Sequence, residues 1–351
     1  MKLLSYSRKG EVSFGIGKSN GLIDLGERLK NKLPTKTIIN FLTFFGHDFL
    51  EKFVNHPIDF SYSDITFLPV ITSPNKILCV GLNYEKHRIE TKREVSGYPT
   101  IFTRFPDTQV AHNQFLVKPN ASDRFDFEGE LAVIIGKGGR YISEDSAMDH
   151  IAGYSCYNDG SIRDWQKHTS QFTPGKNFPY TGAFGPFLVI RETIENYKNL
   201  KIQTRLNDAV VQDAVLDQLI FDIPRIISYC SSFNCLSTGD VIVTGTPGGV
   251  GDRRDPPLYL KCGDKIEVEI SEVGILKNFV MNESDISTRL GLKGIPFYAE
   301  PMVIQRDLWL VKETNSRYHV NNVSTEASVK IIRQAKKEGL KVTCDTAPQY
   351  F

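Results

Sequence analysis

The stretch Phe127-Glu128-Gly129-Glu130-Leu131-Ala132-Val133-Ile134-Ile135 constrains this chain more than any other. Its last five residues form an unbroken apolar run, as a buried strand requires. Side chains alternate sides along a strand, so Glu128 and Glu130 point the same way at the entry to that run. Two like charges placed there repel and resist loss of water, and a positive group between them relieves both. A third carboxylate, Asp159, closes another strand-like run, Tyr154–Asn158. Three hard oxygen donors without neighbouring Cys or His suit Mg²⁺, Mn²⁺ or Ca²⁺ rather than zinc. The plainer alternative is an edge strand whose two glutamates face water.

Further blocks surround this one. Lys76–Glu90 reads as an apolar strand, a glycine turn and a helix in which His87 and Glu90 are neighbours three residues apart. A carboxylate bonded to one imidazole nitrogen fixes the tautomer and raises the basicity of the other, as a general base needs. A surface ion pair is the plainer reading of that spacing. After Asp159 a helix is expected with Ser161 as its N-cap. Next come Thr173-Pro174-Gly175-Lys176, ending before a Gly-Pro turn, and Gly239–Gly251, which contains Gly245-Thr246-Pro247-Gly248-Gly249. The last is no phosphate loop, since Asp252-Arg253 stands where Lys-Ser/Thr is needed. A loop at Gly245 and Thr246 whose backbone N–H groups meet a carboxylate is expected instead. Arg104 and Arg163 are further candidates to bind a substrate carboxylate, with a structural ion pair as the alternative for each.

In this order the blocks resemble the fumarylacetoacetate hydrolase family, over roughly residues 68–280. The resemblance implies metal ligands at Glu128, Glu130 and Asp159, a His87–Glu90 dyad and a catalytic Lys176. It also implies an α+β, mostly β fold, a mixed β-roll preceded by a small N-terminal lobe. The segment around Gln171–Phe178 resembles the isomerases and hydrolases of aromatic catabolism within that family.

The chain of 351 residues carries 42 basic and 41 acidic residues, net +1, with no long run of either sign. That argues against nucleic acid or an anionic membrane as the main partner. No stretch approaches a membrane span and the first residues lack a signal-peptide core, so a cytoplasmic location is expected. The six cysteines show neither disulfide nor zinc spacing. A homodimer is the expected assembly. Three parts are expected: an N-terminal β-rich lobe (1–68), a catalytic domain (69–282) and a tail (283–351). In the tail the texture changes to helix-strand-helix-strand, and Gly294–Phe351 resembles part of a dihydroorotase or hydantoinase. The matching text is Tyr318–Thr325 and Val342–Tyr350. Only about a quarter of a (β/α)₈ barrel would be present, so a fused, truncated barrel fragment without activity is expected.

The function expected from these residues is divalent-metal-dependent hydrolysis of a C–C bond in a 1,3-dicarbonyl or α-keto acid. The cation stabilises an enolate, His87 activates water and Lys176 supports the developing charge. Without water, the same groups isomerise, tautomerise or decarboxylate a keto-enol acid of the hydroxymuconate or oxaloacetate type. A catalytically silent ligand-binding protein is the reading from a different class.

Overall fold

A computed structural model describes residues 1–91, 94, 97–283 and 299–346, and it divides into two compact units, Met1–Val280 and Met281–Phe351. In the first unit the strand Gly129–Ile135 is buried along its whole length. Its alternation feeds two cores: Leu131, Val133 and Ile135 pack in one, Ala132 and Ile134 in the other. Apolar residues on both faces produce the unbroken run seen in the sequence.

Ile151–Asn158 pairs antiparallel to this strand on one side and Val241–Val243 on the other. Ile77–Gly81 follows parallel to Val241–Val243, and Thr100–Arg104 forms that edge. On the far side Gly182–Ile190 joins Ile151–Asn158 and then pairs with Lys2–Arg8. The strands of the first 68 residues therefore extend the same twelve-stranded sheet.

A five-stranded sheet carries Lys201–Leu206, Ala209–Val215, Lys265–Ile270, Gly274–Asn282 and Phe115–Lys118. Ile202, Ile266, Val268 and Ile270 from it enter the core shared with Leu131 and Val133. The hairpin joining its first two strands turns on Asn207 and Asp208, both at positive φ (50° and 69°), the backbone of a two-residue reverse turn. Helix Ile223–Phe233 covers this core with Ile223, Ile226, Ile227 and Cys230. Asp222 caps it by accepting the Arg225 N–H, and Pro224 sits in its first turn.

Two expectations change. Ser161 is not a helix cap: it lies in the short strand Ser161–Ile162, its hydroxyl donates to the Asp159 carbonyl, and the helix Arg163–Gln166 starts after Ile162. No sheet among the described residues closes into a barrel, and the large sheet is an open path with free edges. The C-terminal partial βα-barrel is likewise absent. In the second unit Tyr318–Val320 and Val342–Cys344 form a two-stranded parallel sheet with helices Ala299–Thr314 and Glu326–Lys337. Their side chains meet in one small apolar core of Ile304, Leu308, Val311, Val320, Val323, Ile332, Ala335 and Val342. Part of the text that suggested the barrel, Ala347–Tyr350, lies outside the described residues. No described helix is long and apolar enough to cross a membrane.

Candidate metal and active site

Register builds the site. Gly129 pairs with Asn158 and Glu130 with Tyr157, so the end of one strand brings Glu128 and Glu130 beside Asp159. The Asp159 N–H donates to the Glu128 carbonyl at 2.8 Å, and the Glu128 N–H donates to Asn158 Oδ1 at 3.0 Å. Glu128, Glu130 and Asp159 are all buried, with one oxygen from each within 4.8 Å of the others.

Three cations answer this charge, unequally. Lys176 Nζ donates to Glu128 Oε2 at 2.6 Å and to Asp159 Oδ2 at 2.7 Å. Arg163 reaches Glu128 Oε1 at 2.6 Å and Asp126 Oδ2 at 2.7 Å. Arg104 donates to Asp159 Oδ1 at 2.6 Å, the Gly160 carbonyl at 2.7 Å and Thr181 Oγ1 at 2.9 Å. No Lys or Arg among the described residues pairs with Glu130, which accepts the Gly245 N–H at 2.6 Å. Four buried carboxylates thus face three cations.

The ionisation of the two glutamates diverges accordingly. Burial opposes charge on Glu128, but Arg163 and Lys176 outweigh it and hold its carboxyl at about 2. Burial, then Asp159 and Glu128, push the Glu130 carboxyl well above the usual carboxylate range. Lys176 stays protonated: burial lowers its pKa, and Asp159 and Glu128 raise it further. With Glu130 ionised the cluster is one positive charge short, and its carboxylate oxygens then fit a hard divalent cation. The residues to hold it are Glu128, Glu130 and Asp159.

Around the cluster lies a cavity of about 380 Å³ whose wall includes His87, Glu128, Glu130, Arg163, Lys176 and Thr246. His87 is buried, and its Nδ1 stands 3.5 Å from Glu90 Oε2. Glu90 also accepts the Gly249 N–H at 2.9 Å. Burial raises the Glu90 carboxyl, but the bonds from His87 and Gly249 prevail and leave it below its ordinary value. Thr246 donates to the Gly129 carbonyl at 3.0 Å and accepts from Gln212 Nε2 at 2.8 Å, which fastens the loop to the carboxylate strand. Gly245 sits at φ +104°, and a Cβ there would come within 2.6 Å of the Asn83 Cβ. Glycine is required so that its N–H can face Glu130.

The structure thus gathers Glu128, Glu130, Asp159, His87, Glu90, Lys176, Arg163 and Thr246 at one place. Arg104 and Gly245 stand behind the wall, against Asp159 and Glu130. Sequence reasoning missed Asp126, which accepts from Arg163 and from the Gly251 and Asp252 N–H groups. It also missed the aromatic side of the cavity, Phe102 and Phe172, with Lys176 Nζ 4.9 Å from the Phe102 ring centre. A carboxylate between two buried aromatics, Phe125-Asp126-Phe127, was the available signal for the first.

Comparison with known proteins places this geometry. The family model described as fumarylacetoacetate (FAA) hydrolase, C-terminal, matches residues 76–281. The chain is 41% identical over 221 residues to the mitochondrial oxaloacetate tautomerase FAHD2A of Bos taurus, covering 62% of this chain and 70% of that one. It is 37% identical over 298 residues to the fumarylacetoacetate hydrolase domain-containing protein 2 homolog of Dictyostelium discoideum, 80% of this chain and 97% of that one. The solved fumarylacetoacetate hydrolase of Exiguobacterium antarcticum superposes with a TM-score of 0.68 at 30% identity, over 81% of this chain and all of that one. Two expectations fall here. Nothing in these comparisons indicates a fused dihydroorotase- or hydantoinase-like segment, since one fold accounts for about 81% of the chain. The expected cytoplasmic location is also overturned, because the tautomerases it resembles are named as mitochondrial. With its carboxylate cluster, its dyad and the match over residues 76–281, this chain belongs to the fumarylacetoacetate hydrolase family.

Proposed function

We propose that the protein is a divalent-metal-assisted tautomerase of a keto-enol carboxylic acid of the oxaloacetate type. The observation that carries this reading is the buried Glu128–Glu130–Asp159 cluster, one cation short, opening on the same cavity as His87. A divalent ion bound there would supply Lewis-acid stabilisation of enolate charge, and Mg²⁺ or Mn²⁺ suits the all-oxygen donor set, with Ca²⁺ a third choice.

The chain's own residues do the rest. His87, oriented through Nδ1 by Glu90, takes the proton from the carbon next to the carbonyl at Nε2, the nitrogen remote from Glu90. The enol forms when a proton is returned to the carbonyl oxygen. Lys176, fixed on Glu128 and Asp159, keeps a positive charge beside that oxygen. Arg163 lines the cavity, and its buried Nη2, without a hydrogen-bond partner among the described residues, is the donor assigned to a substrate carboxylate.

C–C hydrolysis, the reaction first expected from the sequence, takes second place. It needs the same dyad to activate a water, and the likeness to the Exiguobacterium antarcticum hydrolase supports it. Identity to the bovine oxaloacetate tautomerase, 41%, supports tautomerisation more strongly. The test is a panel of oxaloacetate, acylpyruvates and hydroxymuconates assayed with added Mg²⁺ or Mn²⁺. Fast enol–keto interconversion of oxaloacetate without cleavage products is expected. Cleavage of an acylpyruvate with uncatalysed oxaloacetate tautomerisation would reverse the order of the two readings.

A further inference from the structure

The two ends of the cavity treat charge differently. At the inner end every lysine and arginine is bound to a carboxylate. At the mouth Lys167 and Arg253 share a single one, Asp252. Asp252 is already engaged: its carboxylate accepts Lys167 Nζ at 2.7 Å and the Tyr259 hydroxyl at 2.8 Å. Arg253 Nε stands 3.8 Å from the oxygen that takes Lys167, beyond hydrogen-bond range. That long contact is its sole ion pair among the described residues, and its side chain is 39% exposed on the cavity wall. A guanidinium held at a cavity mouth with its donors unspent is suited to a carboxylate, which its planar fork can bind through two parallel bonds. The same wall carries the apolar side chains Phe102, Phe172 and Val250, which suit a short carbon skeleton.

We propose that Arg253, with Lys167 beside it, receives the distal carboxylate of a dicarboxylic keto-enol acid whose keto-acid end faces the buried carboxylate cluster. This rests on the proposed tautomerase reading and adds to it a selection for two carboxylates over one. Asp252 is a positioning residue, tied to Tyr259 and holding Lys167 at the mouth. A monocarboxylic keto acid would leave Arg253 unanswered and bind less well.

The experiment compares oxaloacetate with its 4-methyl ester, which keeps the skeleton and masks the distal charge. Metal-loaded wild type, Arg253→Gln and Arg253→Lys are assayed on both. In Arg253→Gln the KM for oxaloacetate relative to that for the ester rises about tenfold, the loss of one charge-assisted contact, with kcat nearly constant. Arg253→Lys recovers part of it. A ratio that stays within about threefold of wild type overturns the proposal. A binding arm uses 3,3-difluoro-oxaloacetate, which cannot enolise, and its 4-methyl ester, both titrated by calorimetry. The same discrimination, lost in Arg253→Gln, is expected there, and its absence overturns the proposal too. Because binding is read without turnover, a chain that fails to tautomerise oxaloacetate refutes the proposed reaction while the binding arm still decides the role of Arg253.

Discussion

The carboxylate end of the large sheet and the small unit at residues 299–346 are built from the same materials and use burial in opposite ways. Both set short strands against helices with an apolar face. In the small unit the core holds Ile304, Leu308, Val320, Ile332 and their neighbours, and polar side chains such as His319 and Asp345 stand in solvent. At the carboxylate end Glu128, Glu130, Asp159, Asp126, Arg104, Arg163 and Lys176 are all buried. Desolvating such groups costs several kcal/mol each and is recovered only in part by pairing. Apolar burial is explained by stability alone. A buried cluster left one cation short is not, and it marks the place where a ligand completes the structure.

Substitutions at the two places should therefore differ in kind. The largest effect is expected from His87→Gln, which should lower tautomerisation about 10³-fold and leave Mn²⁺ affinity unchanged. Steady-state kinetics with a metal titration checks this, and retained activity would remove the proposed base. Lys176→Met strips Glu128 and Asp159 of a shared partner and should cost about 3–5 kcal/mol in metal-free protein, read from urea unfolding. Added Mn²⁺ should restore part of that loss. In the small unit Leu308→Ala should cost about 2–4 kcal/mol, seen as faster amide exchange confined to residues 299–346, with turnover within twofold of wild type. A large loss of turnover there would erase the contrast between the two regions.

A smaller effect lies in pH. Burial, then the charge of Lys277, lower the His112 pKa from 6.5 to about 4. Its Nδ1 accepts the Lys277 N–H at 3.1 Å, which protonation of that nitrogen would break. Between those values the unfolded chain binds a proton that the folded chain refuses, so stability falls as pH drops from 6.5 and levels off below about 4. His112 is partly exposed, so the loss amounts to about 1–2 kcal/mol. His112→Asn should flatten that part of a stability profile measured by denaturant unfolding.

How much was legible follows from the same contrast. Glu128 and Glu130 could be placed on one side because strand geometry fixes alternation locally. The strand Gly129–Ile135 was legible from its unbroken apolar run, which the structure buries along its whole length. The hairpin at Asn207-Asp208 was passed over although two adjacent turn formers signalled it. Asp126 carried a local sign of burial in its two flanking phenylalanines, but its partner Arg163 lies 37 residues away and no local pattern encodes that pairing. Arg104 was legible as a carboxylate binder, but the carboxylate it holds is the protein's own Asp159. The barrel reading of the tail failed because two short matching segments fix a strand and a helix start, not how strands close into a sheet.

The proposed reaction depends on Glu128, Glu130 and Asp159 holding a divalent cation. Calorimetric titration of chelator-stripped protein with Mn²⁺, in wild type and Glu130→Gln, tests it most directly. One site per chain is predicted in wild type, weakened by at least about a hundredfold in the variant. An absence of binding in wild type, or equal affinity in the two proteins, would contradict it.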